Sequence, residues 1–343
     1  MKSTVILDPH PRTIELIFPK ERLKALKGLC KLYSHDGERM PAAMIEERLP
    51  DASVVIGQTD LPRERLERAP KLRAIINVEG NFQQNIDYGY CFEHGIYVLN
   101  AGVAYAPAVA EMVIGFALSL ARGIAEADRK FREGKELYGR ISNGEAFLLH
   151  GKRVGLVGFG NLGRTLLPLL KAFGCSLVGY DPWLPDNLLK AYGIEPVTLS
   201  ELLRTSKIIF VLAGATSDNA AMLGHEELNL IQKGAVFVLA SRASLVDFDA
   251  LTEILKSGRF SAAIDVFPEE PFPRNHPLRG LPNVLLSAHR AGGLPDTYAL
   301  MGEIVLDDLA LILKGLPPLR LQRADRETVG LLQSKPVKWR GRR

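Results

Sequence analysis

Three glycines, Gly158, Gly160 and Gly163, follow an apolar run at residues 154–157 and open a helical pattern at 162–173. A second apolar run, 176–180, then ends in Asp181. Gly-x-Gly-x-x-Gly between a strand and a helix suits a pyrophosphate: the first glycine permits the tight turn, the second lets the backbone come close to the phosphates, and the third lets helix and strand pack closely. Free N–H groups and the positive end of the helix dipole face the anion. Asp181 lies 23 residues after Gly158, where a carboxylate can accept both ribose hydroxyls and would repel a 2′-phosphate. NAD is therefore the expected cofactor rather than NADP.

Further polar side chains fall just beyond later apolar runs. Arg242 follows 236–239, Asp265 and Glu270 follow the run that begins at Ala262, and His289 follows 284–287. In an open parallel sheet these are the carboxyl ends of strands, where ligands sit. Arginine, carboxylate and histidine beside a nicotinamide suit hydride transfer to a carbonyl. The guanidinium can polarise the C=O and grip a neighbouring carboxylate in a bidentate pair. The imidazole can deliver the proton as the alcohol forms, and a carboxylate against it favours the protonated ring.

The elements that would position these groups follow from pattern. Short β-rich runs at 5–7, 54–56, 74–78 and 97–99 alternate with helical patterns such as 21–29 and 42–49, which is the signature of βα units and a parallel sheet. A second set at 154–157, 177–180, 208–212, 236–239, 262–266 and 284–287 predicts a six-stranded doubly wound sheet carrying the glycine turn on its first strand. Long helices are predicted at 107–131 and 295–314, with Pro107 and Pro295 in their first turns. The last one follows closure of the nucleotide-binding sheet, so the chain is expected to return to a discontinuous first domain. Residues after Pro318 show little periodicity and are expected to run extended over the surface.

Composition restricts the alternatives. The chain has 343 residues, 47% hydrophobic and 24% charged, which allows two domains with substantial cores. A net charge of +4 is small, and the segment 335–343 alone holds five basic residues, so a solvated tail is expected rather than a nucleic-acid surface. Cys30, Cys91 and Cys175 are sparse and odd in number, pointing to reduced thiols in the cytoplasm and to no metal site. Residues 1–12 lack a signal peptide's apolar core, and no membrane span is expected. The apolar stretch 108–121, interrupted by Glu111, reads as a buried helix.

These motifs as a set resemble the D-isomer-specific 2-hydroxyacid dehydrogenases. The likeness rests on Gly158 to Gly163 with Asp181, on Ser241-Arg242-Ala243-Ser244, on Ile264-Asp265-Val266-Phe267-Pro268-Glu269-Glu270-Pro271, and on His289 with Gly292-Gly293, and it extends from about residue 72 to 313. It implies an α/β chain of two doubly wound parallel-sheet domains. A NAD-binding Rossmann domain, 104–294, would be inserted in a flavodoxin-like substrate domain, 1–103 plus 295–343. The implied activity is interconversion of a 2-oxo acid and the D-2-hydroxy acid. Arg242 would bind the substrate, His289 would be the acid/base, and Glu270, the acid directly before proline, would pair with it in preference to Glu269. Asp265 would hold the nicotinamide carboxamide. Cofactor contacts are expected at Gly158, Gly160, Asn161, Leu162, Gly163, Asp181, Ala240, Arg242, Asp265 and His289. A substrate loop is expected at Glu79, Gly80 and Asn81, with closure of the two domains assembling the reactive complex. A homodimer through the helix at 107–122 is also implied.

Some residues depart from the family pattern. Gly80-Asn81-Phe82 replaces Gly-Val-Gly, Glu79 replaces a small residue, Ala243 replaces a glycine, and Leu212-Ala213-Gly214 replaces His-Leu-Pro. Glu79 with Asn81, Gln83 and Gln84 suggests a polar, unphosphorylated substrate. An NADH-sensing corepressor-like binding protein and phosphite oxidation on the same scaffold are the alternative readings.

Overall fold

The computed structural model describes residues 2–35 and 37–332, and the basic run 335–343 lies outside them. The chain forms two compact units. One runs as far as Tyr105 and resumes at Gly293; the other is Ala106–Gly292.

In the first unit, β1 (Thr4–Asp8), β2 (Lys31–Ser34), β3 (Ala52–Gly57), β4 (Ala74–Asn77) and β5 (Tyr97–Asn100) pair in parallel in the order β5-β4-β3-β1-β2. Their Val- and Ile-rich centres are buried because helices cover both faces. Sequence pattern did not reveal β2, whose half-exposed Lys-Leu-Tyr-Ser lies at the sheet edge. Nor did it reveal the antiparallel strand Gln322–Arg323, which pairs with Asn100 and Leu99. The tail past Pro318 is therefore fastened rather than laid loosely over the surface. Asp308, on the helix Pro295–Leu313, is fully buried. Its carboxylate accepts from the backbone N–H groups of Leu319 at 2.9 Å, Arg320 at 3.0 Å and Leu321 at 2.7 Å. Leu321 and Val329 then enter the core.

The second unit holds β6 (Arg153–Val157), β7 (Ser176–Tyr180), β8 (Glu195–Pro196), β9 (Ile208–Val211), β10 (Val236–Leu239), β11 (Ser261–Ile264) and β12 (Val284–Leu286). They form a parallel sheet in the order β12-β11-β10-β9-β6-β7-β8. Seven strands stand where six were expected, because β8 is two residues long and too short to carry a periodic signal. The central strands β9 and β10, Ile-Ile-Phe-Val and Val-Phe-Val-Leu, are wholly buried. Strand order reverses between β6 and β9, which places the glycine turn at the switch point of the sheet.

The helix predicted over 107–131 is two helices, Ala106–Arg122 and Ile124–Arg132. Gly123 separates them at φ +62°, a left-handed conformation that cannot continue a right-handed helix. The stretch Gly102–Arg122 is long and apolar enough to cross a membrane, contrary to the expectation that none is. Its composition has an explanation in the fold: six side chains of Ala106–Arg122, among them Val113, Phe116 and Ala117, are buried in the second unit's core.

Replacing Asp308 by alanine leaves three backbone donors of the docked tail without their acceptor. Asp308→Ala is expected to lower unfolding stability by about 2–4 kcal/mol, measured by urea denaturation. A loss below about 0.5 kcal/mol, the range of ordinary surface changes, would show that tail docking does not depend on this carboxylate.

Candidate active site

The glycine turn joins β6 to the helix Asn161–Ala172. Gly158 sits at φ +91°, and a Cβ there would lie 2.5 Å from the Ala213 Cα at the end of β9. No other residue fits this position on either ground. Gly163 is similarly confined, its Cβ position 3.0 Å from Phe159 Cδ2 and 3.1 Å from the Gly158 carbonyl. Gly160 differs: a Cβ there would meet nothing within 4 Å. It caps the helix start, so the space before the first-turn N–H groups of Asn161, Leu162 and Gly163 is open to an anion.

Asp181 stands at the end of β7 and is locked to this turn. Its Oδ2 accepts from the Phe159 N–H at 2.8 Å and its Oδ1 from the Trp183 N–H at 3.0 Å. A carboxylate so held keeps further lone pairs for hydroxyls and a fixed negative charge toward any phosphate. The open approach at Gly160 and the anchored acid together fit a dinucleotide.

The acid/base candidates lie just beyond β10, β11 and β12, and Glu270 and His289 are brought into contact there. Arg242 follows β10 in extended conformation, half-buried, with Nη1 donating to the Ser241 carbonyl at 2.7 Å. Ser241 lies between Ala240 and Arg242, and its buried Oγ has no hydrogen-bond partner among the described residues. His289 Nδ1 lies 2.8 Å from Glu270 Oε2 and 3.1 Å from Oε1. Glu270, not Glu269, is thus the acid on the imidazole, and Oε1 is fixed further by the Phe267 N–H at 3.1 Å. Both side chains are well exposed, so the pair adds little stability and serves to orient the ring.

His289 has φ +49°, a left-handed conformation that costs a non-glycine residue about 1–2 kcal/mol. Asp265 offsets this. Only 1% exposed, it accepts from the N–H of Arg290 on Oδ1 and of Ala291 on Oδ2, both at 3.1 Å. Its backbone carbonyl accepts from the His289 N–H at 2.7 Å. The residue expected at the nicotinamide amide thus fastens the loop that presents His289. Sequence pattern missed this use, because nothing in Ile-Asp-Val reveals which amides the carboxylate will meet.

In the first unit, Glu79 is not a free acid on the substrate loop. It is 6% exposed, meets Arg12 Nη2 at 3.2 Å and accepts from Gln58 Nε2 at 2.9 Å. Gln83, also buried, donates to Gln58 Oε1 at 2.8 Å. Phe82 is a core residue, edge-on to Tyr88 with ring centroids 6.4 Å apart. The expected polar surface of Glu79, Asn81, Gln83 and Gln84 therefore shrinks to Asn81 and Gln84. Their neighbours turned inward because β4 ends in the core and Gln58 offers Glu79 and Gln83 buried partners. Sequence reading missed Arg12, although its place just after β1 was a usable signal.

Residues 114–291 match the family model described as D-isomer specific 2-hydroxyacid dehydrogenase, NAD binding domain. The chain is 34% identical over 320 residues to the D-3-phosphoglycerate dehydrogenase of Methanocaldococcus jannaschii, a match covering 92% of this chain and 58% of that longer protein. It is 31% identical over 304 residues to the glyoxylate reductase of Korarchaeum cryptofilum, covering 85% of this chain and 91% of the relative. Among solved structures, a phosphoglycerate oxidoreductase from Rhizobium etli superimposes with a TM-score of 0.87 at 44% identity, covering 95% of this chain and all of that one.

Two substitutions test the cofactor end. Gly158→Ala should weaken NADH binding at least about tenfold, since it adds both left-handed strain and a backbone clash. Asp181→Ser should narrow the preference for NADH over NADPH by about tenfold or more, read from the two dissociation constants. An unchanged preference would remove Asp181 from cofactor selection.

Proposed function

The chain belongs to the D-isomer specific 2-hydroxyacid dehydrogenases, and from that premise we propose that it reduces a 2-oxo acid to the D-2-hydroxy acid with NADH, using His289 as the acid. The observation that carries this reading is the imidazole fixed through Nδ1 to Glu270 at 2.8 Å, which leaves Nε2 as the nitrogen that exchanges a proton with substrate.

Gly158, Gly160, Asn161, Leu162 and Gly163 would hold the cofactor's pyrophosphate and Asp181 its ribose, and NADH bound there would supply the hydride for C2 of the acid. Arg242 pairs with the substrate carboxylate and draws electron density toward the C2 oxygen, as a planar cation with several donors can. His289 Nε2 gives its proton to that oxygen as the C=O bond becomes C–O–H. Glu270 steadies the imidazolium before transfer and keeps Nδ1 as the donor afterwards. The Asp265 clamp holds the ring where these steps need it, so positioning precedes substrate arrival.

The reading includes a cytoplasmic protein that pairs with a second copy of itself. Ile124, Phe131, Leu137, Tyr138, Ile141 and Leu148 are exposed along one continuous segment, an apolar surface of the kind that another chain covers. This moves the proposed contact from the helix at 107–122 to the segment that follows it.

The test is loss of NADH absorbance with a panel of 2-oxo acids, each repeated with NADPH. His289→Ala should lower turnover by about 10²- to 10⁴-fold, the usual worth of a general acid, while NADH still binds. Loss of NADH binding in that variant would assign His289 to structure. Absence of turnover across the panel by the parent protein would overturn the reductase reading.

A further inference from the structure

We propose that Phe272 and Arg279 are positioning residues for the proton transfer: they close the loop that carries Glu270 and so hold its carboxylate where it steers the His289 ring. The proposal rests on the reading of His289 as the acid of a 2-oxo acid reductase and adds residues to that site.

Glu270 needs such support. It rides on a run of exposed residues, 268–271, between two aromatic ones, Phe267 and Phe272. The side chains of His289 and Glu270 are 50% and 38% exposed, and an ion pair so open to water is too weak to hold its own geometry. The carboxylate is fixed instead by the Phe267 N–H, 3.1 Å from Oε1. That hydrogen bond lasts only while residues 267 and 270 keep their relative place, so it depends on the shape of the loop.

The loop is closed by packing. Phe267, 9% exposed, anchors its start in the core, with Phe248 at a centroid distance of 6.4 Å. Phe272 fastens its end to its start: the rings of Phe267 and Phe272 lie 4.3 Å apart, inclined at 30°. Phe272 also meets the His276 ring at 4.5 Å. Arg279, from the turn Pro277–Gly280, then grips the end of the loop. Its Nε donates to the Pro273 carbonyl and its Nη2 to the Phe272 carbonyl, both at 2.8 Å, and its Cζ lies 5.4 Å from the centroid of the Phe272 ring. A planar fork spans two successive carbonyls in a way that an ammonium does not. The turn itself is held by Leu278, 1% exposed. A phenyl ring has no proton to transfer, so the part played by this stack is geometric. Displacing a positioned group by about 1 Å can lower turnover by about 10²-fold.

The experiment measures kcat and KM with NADH and the 2-oxo acid turned over fastest, together with the dissociation constant of NADH. Phe272→Ala should lower kcat about tenfold while KM and NADH binding stay within about twofold. Phe272→Tyr, which keeps the ring, should restore most of the loss. Arg279→Ala removes an exposed side chain and so covers the case in which Phe272→Ala does not fold; it should lower kcat about threefold. The deciding measurement repeats both substitutions in a Glu270→Gln background. Groups that act through the Glu270 carboxylate should there cost less than about twofold more, because coupled residues are not additive. If kcat is unchanged in the folded single variants, or if the losses are as large in the Glu270→Gln background, the positioning role is overturned while the reductase reading stands. If Glu270→Gln alone leaves kcat unchanged, or wild type reduces no 2-oxo acid, the reading of the His289–Glu270 pair falls and takes this proposal with it.

Discussion

A buried carboxylate governs the geometry of the acid/base site. Asp265 gives its two oxygens to consecutive backbone amides, Arg290 and Ala291, and its carbonyl to the N–H of His289. Three hydrogen bonds from one residue, two of them charge-assisted, hold His289 at φ +49°, a conformation the chain would otherwise leave. With that backbone fixed, the ring meets Glu270, which is itself held by the Phe267 amide. The exposed His289–Glu270 pair could not organise the loop alone, since ion pairs open to water are weak. The energy that positions the site lies in the interior, while the chemistry lies at the surface.

The same division of labour appears at the cofactor end. Gly158 presses against the backbone at Ala213, and Asp181 is tied to the Phe159 amide. β6, β7 and β9 are thereby joined at the point where strand order reverses. In the first unit, Asp308 plays a comparable part for the returning tail, gathering three amides in the core. Buried carboxylates that accept several backbone N–H groups recur in this chain as a way to fix irregular segments, whose amides have no ladder to join.

Much of this was legible in the sequence because it depends on local rules. Strand runs with apolar residues on both faces, a glycine pattern with a terminal acid, and polar residues just past strand ends follow from steric and hydrogen-bonding constraints within a few residues. The elements missed were those without such a signal. Gln322–Arg323 and Glu195–Pro196 are strands only because a neighbour supplies the pairing. The break at Gly123 lay inside a pattern that reads as helical on both sides.

The sequence by itself determined the two parallel sheets, the family and NAD as the cofactor, and it set Arg242, Glu270 and His289 just beyond strand ends as the candidates for chemistry. Tertiary structure alone decided how the charges are used. Glu79 reads in sequence as an acid offered to substrate, yet it is paired with Arg12 from 67 residues away. Asp265 reads as a cofactor contact, and the fold also gives its carboxylate two amides 25 and 26 residues on. The reason is physical: the partner of a buried charge is set by which distant segments the sheet brings within about 3 Å, and burial makes that partner obligatory.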